Sequence, residues 1–300
     1  MINYKIKTAL ISVTNKKKVD FLAEGLSKLG IKIISTGGTA KYLKSKSLDI
    51  IDVKDVTSFP EILDGRVKTL HPKIYGGILN RVNLKKDLRT LKNFDILNID
   101  LVVANLYNFS ETLKSTNDQD QIIESIDIGG PALIRATAKN YKFKTIITDP
   151  FDYEKLLDQL NENFSTSLDF RFYLAKKAFE LTSKYDSTIL NWFEKDDTKS
   201  DQMPNIFSFD LKKHLTMRYG ENPHQKAGFY LENNKSFSFS KQIQGKELSF
   251  NNINDTDAAL ELVSEFTKPA VVIVKHANPC GVAIASKVET AWANALKTDP

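Results

Sequence analysis

Residues 65–72, GRVKTLHP, carry the densest chemical signal in the sequence. Arg66 and Lys68 alternate with Val67, so an extended segment would set both cations on one side. Arg offers a planar fork and Lys a point charge, a combination suited to an anion or a developing oxyanion. Thr69 adds a hydroxyl, while His71, ahead of Pro72, reads as a packed, hydrogen-bonded histidine. A second signal is Thr36-Gly37-Gly38-Thr39, placed between a predicted strand and a predicted helix. Its glycines can turn backbone N–H groups toward one point, and the helix N-terminus adds partial positive charge, as in a phosphate site. Hydroxyls of Ser35, Thr36 and Thr39 would add donors. The same four residues also suit an ordinary glycine turn with a threonine cap. Thr14-Asn15-Lys16 follows the first predicted strand and should open at the same sheet edge.

Three further groups join these. Asn105 and Tyr107 end the most apolar strand, where an amide and a phenol can meet a ligand or simply cover the core. Asp127 leads into Gly129-Gly130-Pro131, and Arg135 and Lys139 follow four apart on one helix face. A carboxylate beside an ammonium tuned by Arg66, Lys68 and Arg135 would suit proton shuttling; a surface ion pair is the other reading. Near the end of the sequence, Lys275 and His276 follow another apolar strand and offer a cation and a base that titrates near neutrality. The following Pro279-Cys280 invites a zinc-deaminase reading, but Ala283 stands where a second cysteine would be needed, so no metal is expected. Arg218 and Tyr219, with Asn222, Pro223 and His224, read as a polar loop. The sequence lacks the Walker, dinucleotide-binding, nucleophile-elbow and HExxH patterns.

The elements that must position these residues alternate. Strands are predicted at 8–13, 31–34, 50–53, 100–106 and 144–148, and helices at 19–29, 39–46 and 131–139. Such alternation predicts a parallel sheet covered by helices, with ligands at the carboxyl ends of its strands. A helix over 168–193, with Phe172, Ala175, Phe179, Thr182 and Leu190 near one face, reads as core packing. The polar stretch after it suggests domains at 1–196 and 206–300 joined by a linker at 197–205. The second unit is predicted to hold strands at 229–231 and 270–274 (the latter buried) and helices at 257–266 and 289–296. Its few strands and abrupt end read as an incomplete domain.

Composition narrows the class. The 300 residues suffice for two domains, and 41% hydrophobic with 26% charged residues excludes wholesale disorder. No apolar run approaches the roughly 20 residues of a membrane span, and no secretory signal is visible. A single cysteine fits a reducing, cytoplasmic setting. The net charge of +5 is spread too evenly for a nucleic-acid stripe but permits small anionic substrates.

Taken in order, SVTNKK, STGGTAKYL, SFPEILDGRVKTLHPKIYGGIL, NLYNF, DIGGPALIRATAKN, RYGENPHQ and VKHANPCG closely resemble the bifunctional purine-biosynthesis family. That family joins an IMP cyclohydrolase to an aminoimidazole-carboxamide ribonucleotide (AICAR) formyltransferase. The resemblance implies a methylglyoxal-synthase-like parallel-sheet α/β domain, followed by an incomplete cytidine-deaminase-like α/β domain without zinc. It implies cyclisation of formyl-AICAR to IMP with loss of water and no cofactor. Thr14, Lys16, Thr36, Gly38 and Thr39 would hold the phosphoribosyl group. Arg66, Lys68, Thr69, Asn105 and Tyr107 would surround the base, with Gly129 as a further binding position. Asp127 and Lys139 would move protons, and Lys68 and Tyr107 count with them as catalytic. Phosphate cradle, cations and acid–ammonium couple should then share one cavity, with Gly38, Lys68 and Lys139 all on its wall. In the second unit Lys275 and His276 match the catalytic pair that transfers formyl from 10-formyltetrahydrofolate, and Arg218 and Tyr219 match AICAR-binding positions. Formyl transfer is expected to be lost in this chain, a homodimer is expected, and neither nucleic acid nor membrane is expected as a partner. The rivals are a methylglyoxal-synthase-like phosphate-binding regulatory module and methylglyoxal synthase itself.

Overall fold

In the computed structural model, the residues described are 4–196, 208, 210–232 and 242–298. The chain divides into two compact units, Met1–Ser208 and Phe209–Pro300. The expected linker at 197–205 lies outside the described residues.

The first unit is built on five parallel strands: β1 (Thr8–Ser12), β2 (Lys32–Ser35), β3 (Ile50–Asp52), β4 (Leu101–Ala104) and β5 (Thr145–Ile147). Their order across the sheet is β3-β2-β1-β4-β5. Leu101, Val102, Val103 and Ala104 are all buried, as are Thr8 to Ile11, because helices cover both faces and leave no side for polar alternation. The helices are α1 (Val19–Lys28), α2 (Gly37–Ser45), α3 (Val53–Thr57), α4 (Pro72–Leu79), α5 (Lys85–Asn93), α6 (Phe109–Ser115), α7 (Gln119–Glu124), α8 (Gly129–Lys139), α9 (Tyr153–Asn163) and α10 (Leu168–Asp196). In α1, Val19, Leu22, Ala23 and Leu26 are buried at helical spacing, which places their stripe against the sheet.

Sheet order matters for function. Chain progression reverses between β1 and β4, so the loops leaving these two strands diverge and open a crevice at the carboxyl edge. Behind it, Lys144 is buried at the start of β5; its Nζ donates to the carbonyl of Gly77 (3.1 Å) and to Oδ1 of Asn98 (2.5 Å). Burial pushes this ammonium down to about 8, against the opposing pull of Asp100.

Helix α10 differs from its predicted packing. Its buried face carries Phe170, Leu174, Ala178, Thr182 and Tyr185, whereas Phe172 and Phe179 are exposed. Ala175 and Thr182 of the predicted face are buried as expected, but the stripe is centred on Phe170, Leu174 and Ala178 at spacing four, which turns Phe172 and Phe179 outward.

In the second unit, β6 (Leu211–Thr216) pairs antiparallel with β7 (Gly228–Glu232), and β8 (Ala270–Lys275) pairs antiparallel with β9 (Asn278–Ile284). Helices α11 (Phe250–Ser264) and α12 (Val288–Leu296) pack against the second pair. Helix α11 begins seven residues before its predicted start because Ser249 and Asn252 form a capping box. The predicted buried strand is only half-buried from Ala270 to Val274, since among the described residues its sheet has two strands.

Candidate active site

A cavity of about 650 Å³ opens at the carboxyl edge of the parallel sheet. Its wall includes Thr14 and Lys16 after β1, Thr36, Gly38 and Thr39 after β2, and Asn105 and Tyr107 after β4. The loop before α4 brings Arg66, Lys68 and Thr69, and the start of α8 brings Asp127 and Gly129. Thirteen of the expected site residues belong to this unit; twelve converge on one cavity and one, Lys139, does not.

The cradle is made by Thr36, which takes an extended conformation at the N-cap of α2. The first-turn amides of a helix have no intrahelical acceptor, so those of Gly37 and Gly38 are available to an anion. Two of the three expected hydroxyl donors are otherwise engaged. Ser35 donates to the carbonyl of Ile11 (2.7 Å), and Thr39 donates to the carbonyl of Val13 (2.8 Å) while accepting from its N–H (3.2 Å). Thr39 therefore staples α2 to the end of β1.

Asn105 likewise acts on protein. Its Oδ1 accepts from the backbone N–H groups of Thr14 (2.6 Å) and Asn15 (3.3 Å), and its Nδ2 donates to the carbonyl of Asn15 (2.9 Å). One amide thus spans the crevice between β1 and β4 and fixes the first loop.

Leu63, Asp64 and Gly65 all have positive φ, with Gly65 at +85°, so the segment after them is a tight turn rather than an extended strand. Arg66 is helical in backbone and donates from Nε and Nη2 to the two carboxylate oxygens of Glu124 across the cavity mouth. That pairing raises the Arg66 pKa and lowers that of Glu124. The arginine's charge is thereby matched by protein, and Lys68 and Lys16 are the other cations on the cavity wall. A side chain at position 65 would strike Lys68 Cε and Nζ, so glycine there lets the lysine fold inward. The ammonium lies 4.0 Å from Glu61 and close over Gly37. Glu61 was not anticipated; its place in the same short turn was the available signal. His71 accepts the N–H of Lys73 at the start of α4, so it is a helix cap.

Asp127 is the most unusual group. Burial raises its pKa, opposed by backbone N–H groups of Gly130, Tyr107 and Gly129 and by the charge of Lys68. The Gly130 N–H bond to Oδ1 is 2.8 Å. A Cβ at Gly130 would collide with the carboxylate, and one at Gly129 would press on the Thr69 hydroxyl at 3.4 Å. Tyr107 is half exposed at the rim.

Lys139 does not share this cavity. It is exposed at the far end of α8, about 15 Å along the helix from Gly129 at 1.5 Å per residue. There it borders a separate aromatic hollow formed with Tyr141, Phe172 and Phe179. Arg135 sits over the Phe179 ring at 5.6 Å and is also outside the site. Asp127 and Lys139 are therefore not brought together, and the cation whose charge acts on Asp127 is Lys68.

In the second unit Lys275 and His276 are exposed at the turn between β8 and β9, where His276 and Ala277 take positive φ. Asp255 accepts the Ala277 N–H at 2.7 Å. The Arg218 guanidinium lies over the Tyr219 ring and donates to its hydroxyl at 3.0 Å, which holds the phenol below its usual pKa.

A parallel sheet covered by helices, with a cationic, glycine-framed cavity at its carboxyl edge, defines an α/β domain, and residues 18–132 match the sequence family described as MGS-like domain. Residues 137–300 match the family described as AICARFT/IMPCHase bienzyme, and the chain belongs to it. Among its relatives are two named bifunctional purine biosynthesis protein PurH. That of Thermoanaerobacter sp. (strain X514) is 49% identical over 297 residues, covering 98% of this chain and 58% of the relative. That of Acetivibrio thermocellus is 49% identical over 299 residues with the same coverage. The chain thus spans a little over half the length of these relatives. A solved structure described as the crystal structure of ForH is similar at 31% identity and a TM-score of 0.58, covering 64% of this chain and 99% of its own.

Proposed function

We propose that the first unit cyclises formyl-AICAR to IMP, releasing water. In this reaction the carboxamide nitrogen attacks the formyl carbon of the same molecule, so proximity is supplied by the substrate. The protein must hold the phosphate, stabilise the tetrahedral oxyanion and move two protons from nitrogen to that oxygen, one from the attacking carboxamide nitrogen to give the hydroxyl and one from the formamide nitrogen as the hydroxyl leaves as water. Backbone amides at the start of α2, with Lys16, Thr36 and the loop at Thr14, hold the phosphoribosyl group. Lys68 stabilises the oxyanion, and Asp127 carries both protons in turn, first from the carboxamide nitrogen to the oxyanion and then from the formamide nitrogen to the hydroxyl as it leaves as water. Tyr107, Thr69 and Gly129 border the base; Arg66 and Asn105 act by fixing the walls. The observation that carries this reading is the half-dry Asp127 carboxyl facing Lys68 in the same cavity as the cradle. A regulatory phosphate module has no use for that pair.

For the second unit we propose a share in formyl transfer from 10-formyltetrahydrofolate to the AICAR amine, with Lys275 and His276 at the transfer and Arg218 and Tyr219 holding AICAR. A cytoplasmic homodimer is the proposed setting. The test of the first reading is turnover: purified chain mixed with formyl-AICAR, without folate, should generate IMP absorbance, and a flat trace would refute it.

A further inference from the structure

We propose that Tyr185 is a positioning residue that fixes Asp127 through the peptide backbone. Resting on the reading of Asp127 as proton carrier, this assigns α10 a part in the site, although none of that helix lines the cavity. The Tyr185 hydroxyl accepts the Asp127 N–H at 2.7 Å and points its own proton toward the carbonyl of Ser125 at 3.5 Å. One phenol therefore plugs both ends of the turn that delivers the carboxylate. Its ring is buried, 7% exposed, and stands edge-on to Phe109 at 6.3 Å within a cluster that also holds Ile122. The ring is thus locked by packing, and the hydroxyl has a fixed location in space.

The consequence follows from the carboxylate's own partners. Asp127 is held by N–H groups of Gly130, Gly129 and Tyr107, and those bonds lower a pKa that burial raises. If the turn at 125–127 relaxes, those bonds lengthen and the opposing burial prevails. The ionisable groups facing this turn are Lys68 from the loop before α4, Tyr75 from α4 and Tyr185 itself; Asp186 adds its charge on the Tyr185 side. Tyr75 has a buried hydroxyl without a hydrogen-bond partner among the described residues.

The test uses the full chain, with the Asp127 carboxyl followed by carbon NMR and assigned through Asp127→Asn. Tyr185→Phe keeps the ring and removes the hydroxyl. It should move the Asp127 titration upward and speed exchange of the Asp127 amide on the order of tenfold. Where ring closure is measurable, kcat should fall with KM nearly unchanged and the acid limb should move to higher pH. Phe109→Leu, which loosens the same cluster but keeps the hydroxyl, should shift the titration less than Tyr185→Phe does. An unchanged Asp127 titration and exchange rate in Tyr185→Phe, or an equal shift in Phe109→Leu, would overturn the proposal. Should Tyr185→Phe not fold, the wild-type Asp127 amide decides: strong protection supports the anchor and exchange at the open-chain rate rejects it. Because these readouts need no turnover, a chain that fails to make IMP would sink the proposed function and leave this inference separately judged.

Discussion

Gly130→Ala should disable the site without unfolding the protein. The added methyl would overlap Asp127 Oδ2 and come within 2.9 Å of Leu106 Cδ2. Gly130 lies in the first turn of α8 at an ordinary negative φ, so alanine suits the backbone and contributes up to about 1 kcal/mol of helix propensity. That gain offsets part of the clash, and stability should change little. The carboxylate, however, must swing away by on the order of 1 Å to reach ordinary contact, a misplacement that can cost about 10²-fold in rate. Losing an acid–base group outright costs about 10²–10⁴-fold. The expected kcat for formyl-AICAR is therefore about a hundredth of wild type, approaching that of Asp127→Asn, with thermal midpoint and product affinity nearly preserved. The assay is IMP absorbance alongside thermal unfolding by circular dichroism. A stable Gly130→Ala variant with wild-type kcat would refute the requirement for a fixed Asp127 carboxylate.

Asn105→Ala removes three hydrogen bonds to the loop at Thr14 and Asn15, so KM should rise about tenfold with a smaller change in kcat, checked by steady-state kinetics. Lys139→Ala should leave turnover within about twofold, because the ammonium lies a helix length from the cavity; a large loss would return Lys139 to the mechanism. Lys144 gives a pH signature. Its folded-state pKa of about 8 lies below the unfolded 10.5, so the ammonium is penalised in the folded state below pH 8. That penalty, about 3 kcal/mol, is relieved as pH rises from 8 to 10.5; Lys144→Met lacks it, so the wild-type-minus-variant stability difference from denaturant titrations should rise by that amount over this range, and a flat difference would refute it.

Much of the first unit was legible from periodicity, because strands buried on both faces and helices with one apolar stripe leave strong local patterns. The stretch holding β4 is a continuous apolar run, that holding β1 is apolar from Ala9 to Ile11, and the glycine turns after β2 and before α8 are readable as they stand. Spacing misled where a helix is long: Arg135 and Lys139 do share a face of α8, but the cavity lies at its opposite end. The task of Asn105 depends on β1 and β4 being neighbours, a fact of sheet order that no local window contains. Arg66 looked like a ligand because Glu124, fifty-eight residues later, is brought to it only by the fold. Tyr185 was hidden for the same reason, since a buried tyrosine on an amphipathic helix reads as packing. The twist of α10 that exposes Phe172 and Phe179 is a tertiary choice between two apolar stripes in one sequence.

The most direct measurement is a crystal structure of this chain with IMP bound. The phosphate should rest on the first-turn amides of α2 beside Lys16, with the purine ring reaching between Lys68 and Asp127. A nucleotide bound at the aromatic hollow beside Lys139, or one whose base lies away from Asp127, would contradict the account.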